Sequence, residues 1–139
     1  MASIHREVFI DVPAPEVWSA ARDIGALHTR LVPGFVVDTK LEDGARLVTF
    51  GNGRVVRELI VDVDDSARRI AWSVVGTPMT HHNASFQVFA ENGHTRGVWI
   101  ADLLPHELAP TVAAMIEQGL AAMKRTLEGR SVGAPIETP

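Results

Sequence analysis

The chain has no cysteine, no excess of basic residues and no long apolar run, and each absence excludes something. Without cysteine no disulfide can staple the fold, which fits a reducing, cytoplasmic setting. Lys plus Arg is 13 against 17 for Asp plus Glu, a net charge of −4. That balance argues against nucleic acid or an anionic membrane as the main partner. No apolar stretch approaches the roughly 20 residues of a membrane span. The N-terminus "MASIHREVFIDV" enters a strand pattern directly, so no signal peptide is evident. Internal repeats and low-complexity segments are missing as well. What remains is a soluble globular domain of 139 residues, large enough to bury about 68–70% of the surface its unfolded chain exposes.

The apolar pattern then orders the elements. Ile4 to Val12 alternates as a first strand. Pro13 and Pro15 in "VPAPEVW" end it and open a helix whose apolar stripe is Val17, Trp18, Ala21 and Ile24, stopped by Gly25. A second short helix is expected over Ala26 to Leu31. From Phe35 to Leu104 the pattern is strands, expected near 35–42, 45–51, 54–63, 68–76, 80–91 and 94–104. Asp43-Gly44, Asn52-Gly53 and Asn92-Gly93 are hairpin turns between them. After Pro105 the period lengthens. Leu108, Val112, Met115, Ile116, Gly119, Leu120, Met123 and Leu127 mark one long amphipathic helix ending at Gly129. Residues 1–129 therefore read as a single domain and 130–139 as a flexible tail. A meander of about seven strands with one apolar helix to cover it implies an α+β fold, a curved antiparallel sheet gripping the C-terminal helix.

The turns set the register. With Asn92-Gly93 as a two-residue loop, Phe86 faces Trp99, Ala84 faces Ala101 and His82 faces Leu103. This set carries both large aromatics and reads as the covered face, so His82 points inward and His81 outward. The opposite face pairs Asn83 with Asp102. It also gathers Val98, Ile100 and Leu104, a patch that would suit a homodimer. With Asn52-Gly53 as a two-residue loop, Leu47 pairs with Glu58, Thr49 with Val56 and Ala45 with Ile60. Arg46, Val48, Phe50 and Arg57 then share the other face. Hydrophobicity leaves the choice between these two faces open.

The order of elements resembles the START/Bet v1-like superfamily (SRPBCC), the helix-grip fold, in its polyketide cyclase/dehydrase-like branch. The stretches that carry the resemblance are "VPAPEVW", "VPGF", "VRELIVDVDDSARRIAWSV" and "GHTRGVWIADLLP", and it spans about residues 4 to 128. "RELIVDVDDSARRIAWSVVG" is also similar to the corresponding strands of the plant abscisic acid receptors. That similarity implies that Glu58 and Trp72 line a cavity, and supports Val74, Ala84 and Phe86 as inward-facing. The receptors' gate and latch loops have no counterpart in "FGNGRVV" or "GTPMTHHN", so neither hormone binding nor phosphatase inhibition is carried over.

A metal site is not expected. His81 and His82 diverge as strand neighbours, and His5, His28, His94 and His106 have no ligand spacing; nor is a cofactor implied. His82 reads either as a strand-end residue bonded at the sheet rim or as a polar anchor and proton donor at a pocket mouth. Glu58 reads either as an ion-pair partner on a wetted face or as a buried carboxylate serving as ligand acceptor or general base. If buried, it is costly unless a partner, a water network or a ligand compensates it, and a protonated His82 nearby is one candidate cation. Gly119 sits on the apolar stripe of the long helix, where glycine costs about 1 kcal/mol relative to alanine. It allows either close packing of a sheet residue or room for a ligand. The expected ligand-binding set is Glu58, Trp72, Val74, Met79, His82, Ala84, Phe86, Trp99, Met115 and Gly119. The expected function is binding of a small hydrophobic molecule (a lipid, polyketide-like aromatic or isoprenoid). Two alternatives stand beside it: a cyclase/dehydratase with Glu58 and His82 as acid and base, and a protein-partner module of the Hsp90-ATPase-activator-like type.

Overall fold

The computed structural model describes residues 2–133. Seven strands form one antiparallel sheet: β1 (Ala2–Ile10), β2 (Val36–Glu42), β3 (Ala45–Phe50), β4 (Val55–Asp64), β5 (Arg69–Val75), β6 (His81–Glu91) and β7 (His94–Leu104). Their order is β1-β7-β6-β5-β4-β3-β2, so the chain meanders from β2 to β7 and the first strand closes the far edge beside the last. Two helices accompany the sheet, α1 (Ala14–Ala21) and α2 (Ala109–Gly133).

The sheet turns where the hairpin signals stand, with one change of register. At Asn92-Gly93 both residues have positive φ, 52° and 84°, which a two-residue type I′ turn requires. The expected ladder follows in full, including Phe86 opposite Trp99 and His82 opposite Leu103. The Asn52-Gly53 turn is longer by one residue. Phe50 N–H donates to Arg54 O at 2.8 Å and Gly53 takes the positive φ, 87°, so Gly51, Asn52 and Gly53 together form the loop. This is the three-residue hairpin ending in a left-handed glycine. The added residue moves the β3–β4 register by one, pairing Arg46 with Glu58 and Val48 with Val56. The expected pairs Leu47–Glu58, Thr49–Val56 and Ala45–Ile60 are thereby corrected.

The helices differ from expectation at their ends. α1 stops at Ala21, short of Ile24 and Gly25, with the Arg22 N–H capping on Trp18 O at 2.8 Å. Asp65, in the β4–β5 turn, pins that end by accepting from Trp18 Nε1 at 2.9 Å and Arg22 Nε at 2.7 Å. The second short helix is a single π-type turn, Leu27–Leu31, closed by Val32 N–H on Leu27 O at 2.8 Å. α2 does not end at Gly129 but runs on to Gly133. Arg130 near its end donates to the carbonyls of Thr29 and Arg30. The remainder of the expected tail lies outside the described residues.

α2 packs chiefly on β1 and on the Leu27–Leu31 turn. Ile116, Leu120, Met123 and Leu127 are buried there, each worth about 1.5–3 kcal/mol relative to exposure. The Arg6–Glu117 ion pair at 3.0 Å and the Lys124 bond to Phe9 O tie the same two elements at their rims. Over the middle strands the helix stands away from the sheet, and the space between them is the site described next.

Candidate ligand-binding site

A cavity of about 910 Å³ lies between α2, the Leu27–Leu31 turn and the inner faces of β2–β7. Its size follows from the sheet's curvature and from what the inner face carries. Trp72 on β5 stands edge-to-face with Trp99 on β7, ring centroids 5.6 Å apart and planes at 69°. Phe35 and Phe50 make a second such pair, at 5.4 Å and 77°, toward the β3–β4 turn. These rings prop the layers apart while remaining packed on one another.

Of the residues expected from sequence, Glu58, Trp72, Val74, Met79, His82, Phe86, Trp99 and Met115 line this cavity. Ala84 and Gly119 do not. Ala84 is buried within the sheet between Trp72 and Ala101, its methyl too short to reach past the indole beside it. Gly119 serves close packing: a Cβ there would stand 3.1 Å from both Phe35 Cε2 and Trp99 Cζ3. The glycine lets two cavity-wall rings seat directly on the helix backbone, which is the packing alternative rather than the room-for-ligand one.

Arg46 is the residue that sequence reasoning missed. Its Nε donates to Glu58 Oε1 at 2.8 Å, and the two side chains are 4% and 9% exposed. Its Nη1 donates to Ile24 O at 3.3 Å, and its guanidinium carbon lies 5.7 Å from the Trp72 ring centroid. A lone buried carboxylate is costly, and Arg46 supplies the required cation from the adjacent strand. A two-residue Asn52-Gly53 loop would put Arg46 on the opposite face; the three-residue loop pairs it with Glu58.

His82 is not that cation. Its Nδ1 accepts the Val74 N–H at 3.0 Å, in place of a carbonyl of the β5–β6 ladder. Accepting at Nδ1 requires the neutral ring, with its proton on Nε2. Burial, with His81 adding to it, pushes the His82 pKa down to about 4. The expectation of a protonated His82 beside Glu58 is corrected on both counts. Glu58, Val74 and His82 lie in one row across β4, β5 and β6. Two strand spacings put the Glu58 and His82 backbones about 10 Å apart.

The apolar patch expected on the outer face, Val98, Ile100 and Leu104, is only partly open. Val98 is covered to 6% exposure, Ile100 is half-buried, and Leu104 is 41% exposed. Asp102 does stand opposite Asn83, but its carboxylate accepts from Ser3 on β1. Among the described residues no cluster of three or more metal-ligating side chains occurs, and no helix is long and apolar enough to cross a membrane.

A curved antiparallel sheet, a long C-terminal helix laid across it and a large apolar cavity between them define a helix-grip protein of the Bet v1-like kind. The family model for polyketide cyclase/dehydrase and lipid transport matches residues 1–128, and the chain belongs to that family. No curated protein matches the sequence. Among solved structures, a protein from Thermobifida fusca is 27% identical, with 96% of this chain and 95% of that one covered and a TM-score of 0.74. The ZhuI aromatase/cyclase from Streptomyces sp. R1128 is 18% identical, covering 96% and 97%, at a TM-score of 0.72. Norcoclaurine synthase from Thalictrum flavum is likewise 18% identical, covering 96% of each chain, at 0.69.

Proposed function

We propose that the protein is a cytoplasmic carrier or sensor that holds a small hydrophobic molecule in the cavity between sheet and α2. One observation carries the reading: about 910 Å³ of space walled by Trp72, Phe86, Trp99 and Met115, with few polar groups converging on it. Ligand pockets typically occupy about 300–1,000 Å³ and are predominantly apolar with a small number of placed polar groups. Family membership supports the same reading, since lipid transport is among the activities the family is described by.

Acid/base chemistry through Glu58 and His82 is less well supported. Glu58 is engaged by Arg46, and Nδ1 of His82 is committed to Val74. Native mass spectrometry of protein purified without added ligand tests the reading. A hydrophobic adduct that a fluorescent apolar probe displaces is expected. A protein that carries no adduct and takes up no probe would sink it.

A further inference from the structure

Arg46 and Glu58 are a deeply withdrawn ion pair in the cavity wall, and their polar atoms can be followed one by one. Arg46 has five N–H donors and an ionised Glu58 has two acceptor oxygens. Nε of Arg46 goes to Glu58 Oε1, and Nη1 to Ile24 O. Among the described residues, Arg46 Nη2 and Glu58 Oε2 make no hydrogen bond. Yet every sealed side-chain nitrogen or oxygen among those residues has a partner. Nη2 and Oε2 are therefore open to something. Their side chains are almost wholly withdrawn from solvent and line the cavity, so the cavity is what they open to.

We propose that Arg46 Nη2 and Glu58 Oε2 form the recognition site for a neutral oxygen function on the ligand, a ketone, enol or phenol, and that they discriminate against carboxylates. The inference rests on the ligand-binding reading and deepens it. Nη2 asks for an acceptor oxygen and Oε2 for a hydroxyl or a bridging water. A pure hydrocarbon leaves both without partners in a space it has dried, which is penalised. A carboxylate would suit Arg46 alone, but Glu58 already neutralises that guanidinium. A second negative charge beside Oε2 would be repelled in a medium that screens poorly. A ligand cation would meet the guanidinium and fare no better. Arg54, the other arginine of the lining, stands at the open rim in water, where its field is screened. The apolar flank of the site is aromatic, with the Arg46 guanidinium beside Trp72 and Trp72 against Trp99. A flat ring bearing the oxygen at its edge matches that surface.

Three probes with one skeleton test this: 2-acetylnaphthalene, 2-ethylnaphthalene and 2-naphthoate, titrated at neutral pH by calorimetry and tryptophan quenching. In the wild-type protein the ketone should bind at least about tenfold more tightly than the hydrocarbon, the least that one charge-assisted hydrogen bond gives, and more tightly than the acid. Arg46→Met/Glu58→Leu removes both charges together, leaving no buried charge unpaired, and should lose the preference for ketone over hydrocarbon while still binding the hydrocarbon. Glu58→Gln keeps an acceptor for Arg46 Nε without the charge, and should shift the ranking toward the acid. The inference is overturned if the wild type binds acid as well as ketone, if hydrocarbon matches ketone, or if the Glu58→Gln ranking is unchanged. Each of those outcomes leaves the ligand-binding reading standing. Failure of the wild type to bind any of the three overturns the inference, and together with a native mass spectrum free of adduct it overturns both.

Discussion

His82 Nδ1 accepts the backbone N–H of Val74 at 3.0 Å, so an imidazole stands where a strand carbonyl would complete the β5–β6 ladder. The pairing of Trp72 with Ala84 is the last regular rung, and beyond it the ring keeps the strands joined at the cavity's edge. Protonation at Nδ1 would set a donor against a donor and break that join.

The consequence is a pH dependence of known sign. An unfolded His82 takes its proton near pH 6.5, whereas the folded ring resists until about 4. Between these values the unfolded state binds more protons, so stability falls as pH falls through the window and is unaffected by this group above it. Carboxylates contribute at the lower end, so the diagnostic comparison is wild type against His82→Gln between about pH 5 and 6.5. The wild-type unfolding free energy should slope downward there more steeply than the variant's. Equal slopes, or an NMR titration of His82 with the midpoint of a free imidazole, would refute the assignment.

Arg46 and Glu58 should behave as a coupled pair. Removing one partner strands the other, and breaking a buried ion pair typically costs about 3–5 kcal/mol. Arg46→Met alone should therefore destabilise by about that much. Arg46→Met/Glu58→Leu should be within about 1–2 kcal/mol of wild type, on either side, since apolar replacement of a buried pair is often neutral. A double-mutant cycle in urea reads the coupling directly. Additive losses would mean that the two side chains are solvated independently.

The extent to which the sequence is legible divides between turns. Asn92-Gly93 states its own geometry, because both residues tolerate positive φ and the two-residue loop leaves one register. The inward set on β6 and β7 follows from that register together with the two large aromatics, Phe86 and Trp99, that it puts on one face. Asn52-Gly53 has the same letters, but Gly51 before it adds a third loop residue. One residue of loop exchanges the faces of β3 relative to β4, and with it Arg46 passes from outside to the counter-ion of Glu58. That a buried Glu58 needs compensation is legible in the sequence, from the cost of burying a carboxylate, with a cation as one way among others. Which cation supplies it depended on tertiary register, and so His82 was the wrong candidate. Gly119 is similar: the sequence marks an anomalous glycine on an apolar stripe, but only the packed rings say which kind of closeness it permits.

Gly119 also yields the last prediction. Its backbone receives the edges of Phe35 and Trp99, and a Cβ at 3.1 Å from each is tighter than an ordinary contact. Alanine gains about 1 kcal/mol of helix propensity over glycine and needs the rings to shift by only a few tenths of an ångström, so Gly119→Ala should be close to neutral. Leucine has no such latitude. Its branched end must displace Phe35 or Trp99 toward the cavity, and overpacking of this kind typically costs about 1–3 kcal/mol. Gly119→Leu should lower the melting temperature, change the tryptophan emission of the ligand-free protein and weaken uptake of an apolar probe. A leucine variant as stable as wild type, with unchanged emission, would show that the helix and those two rings are not in contact.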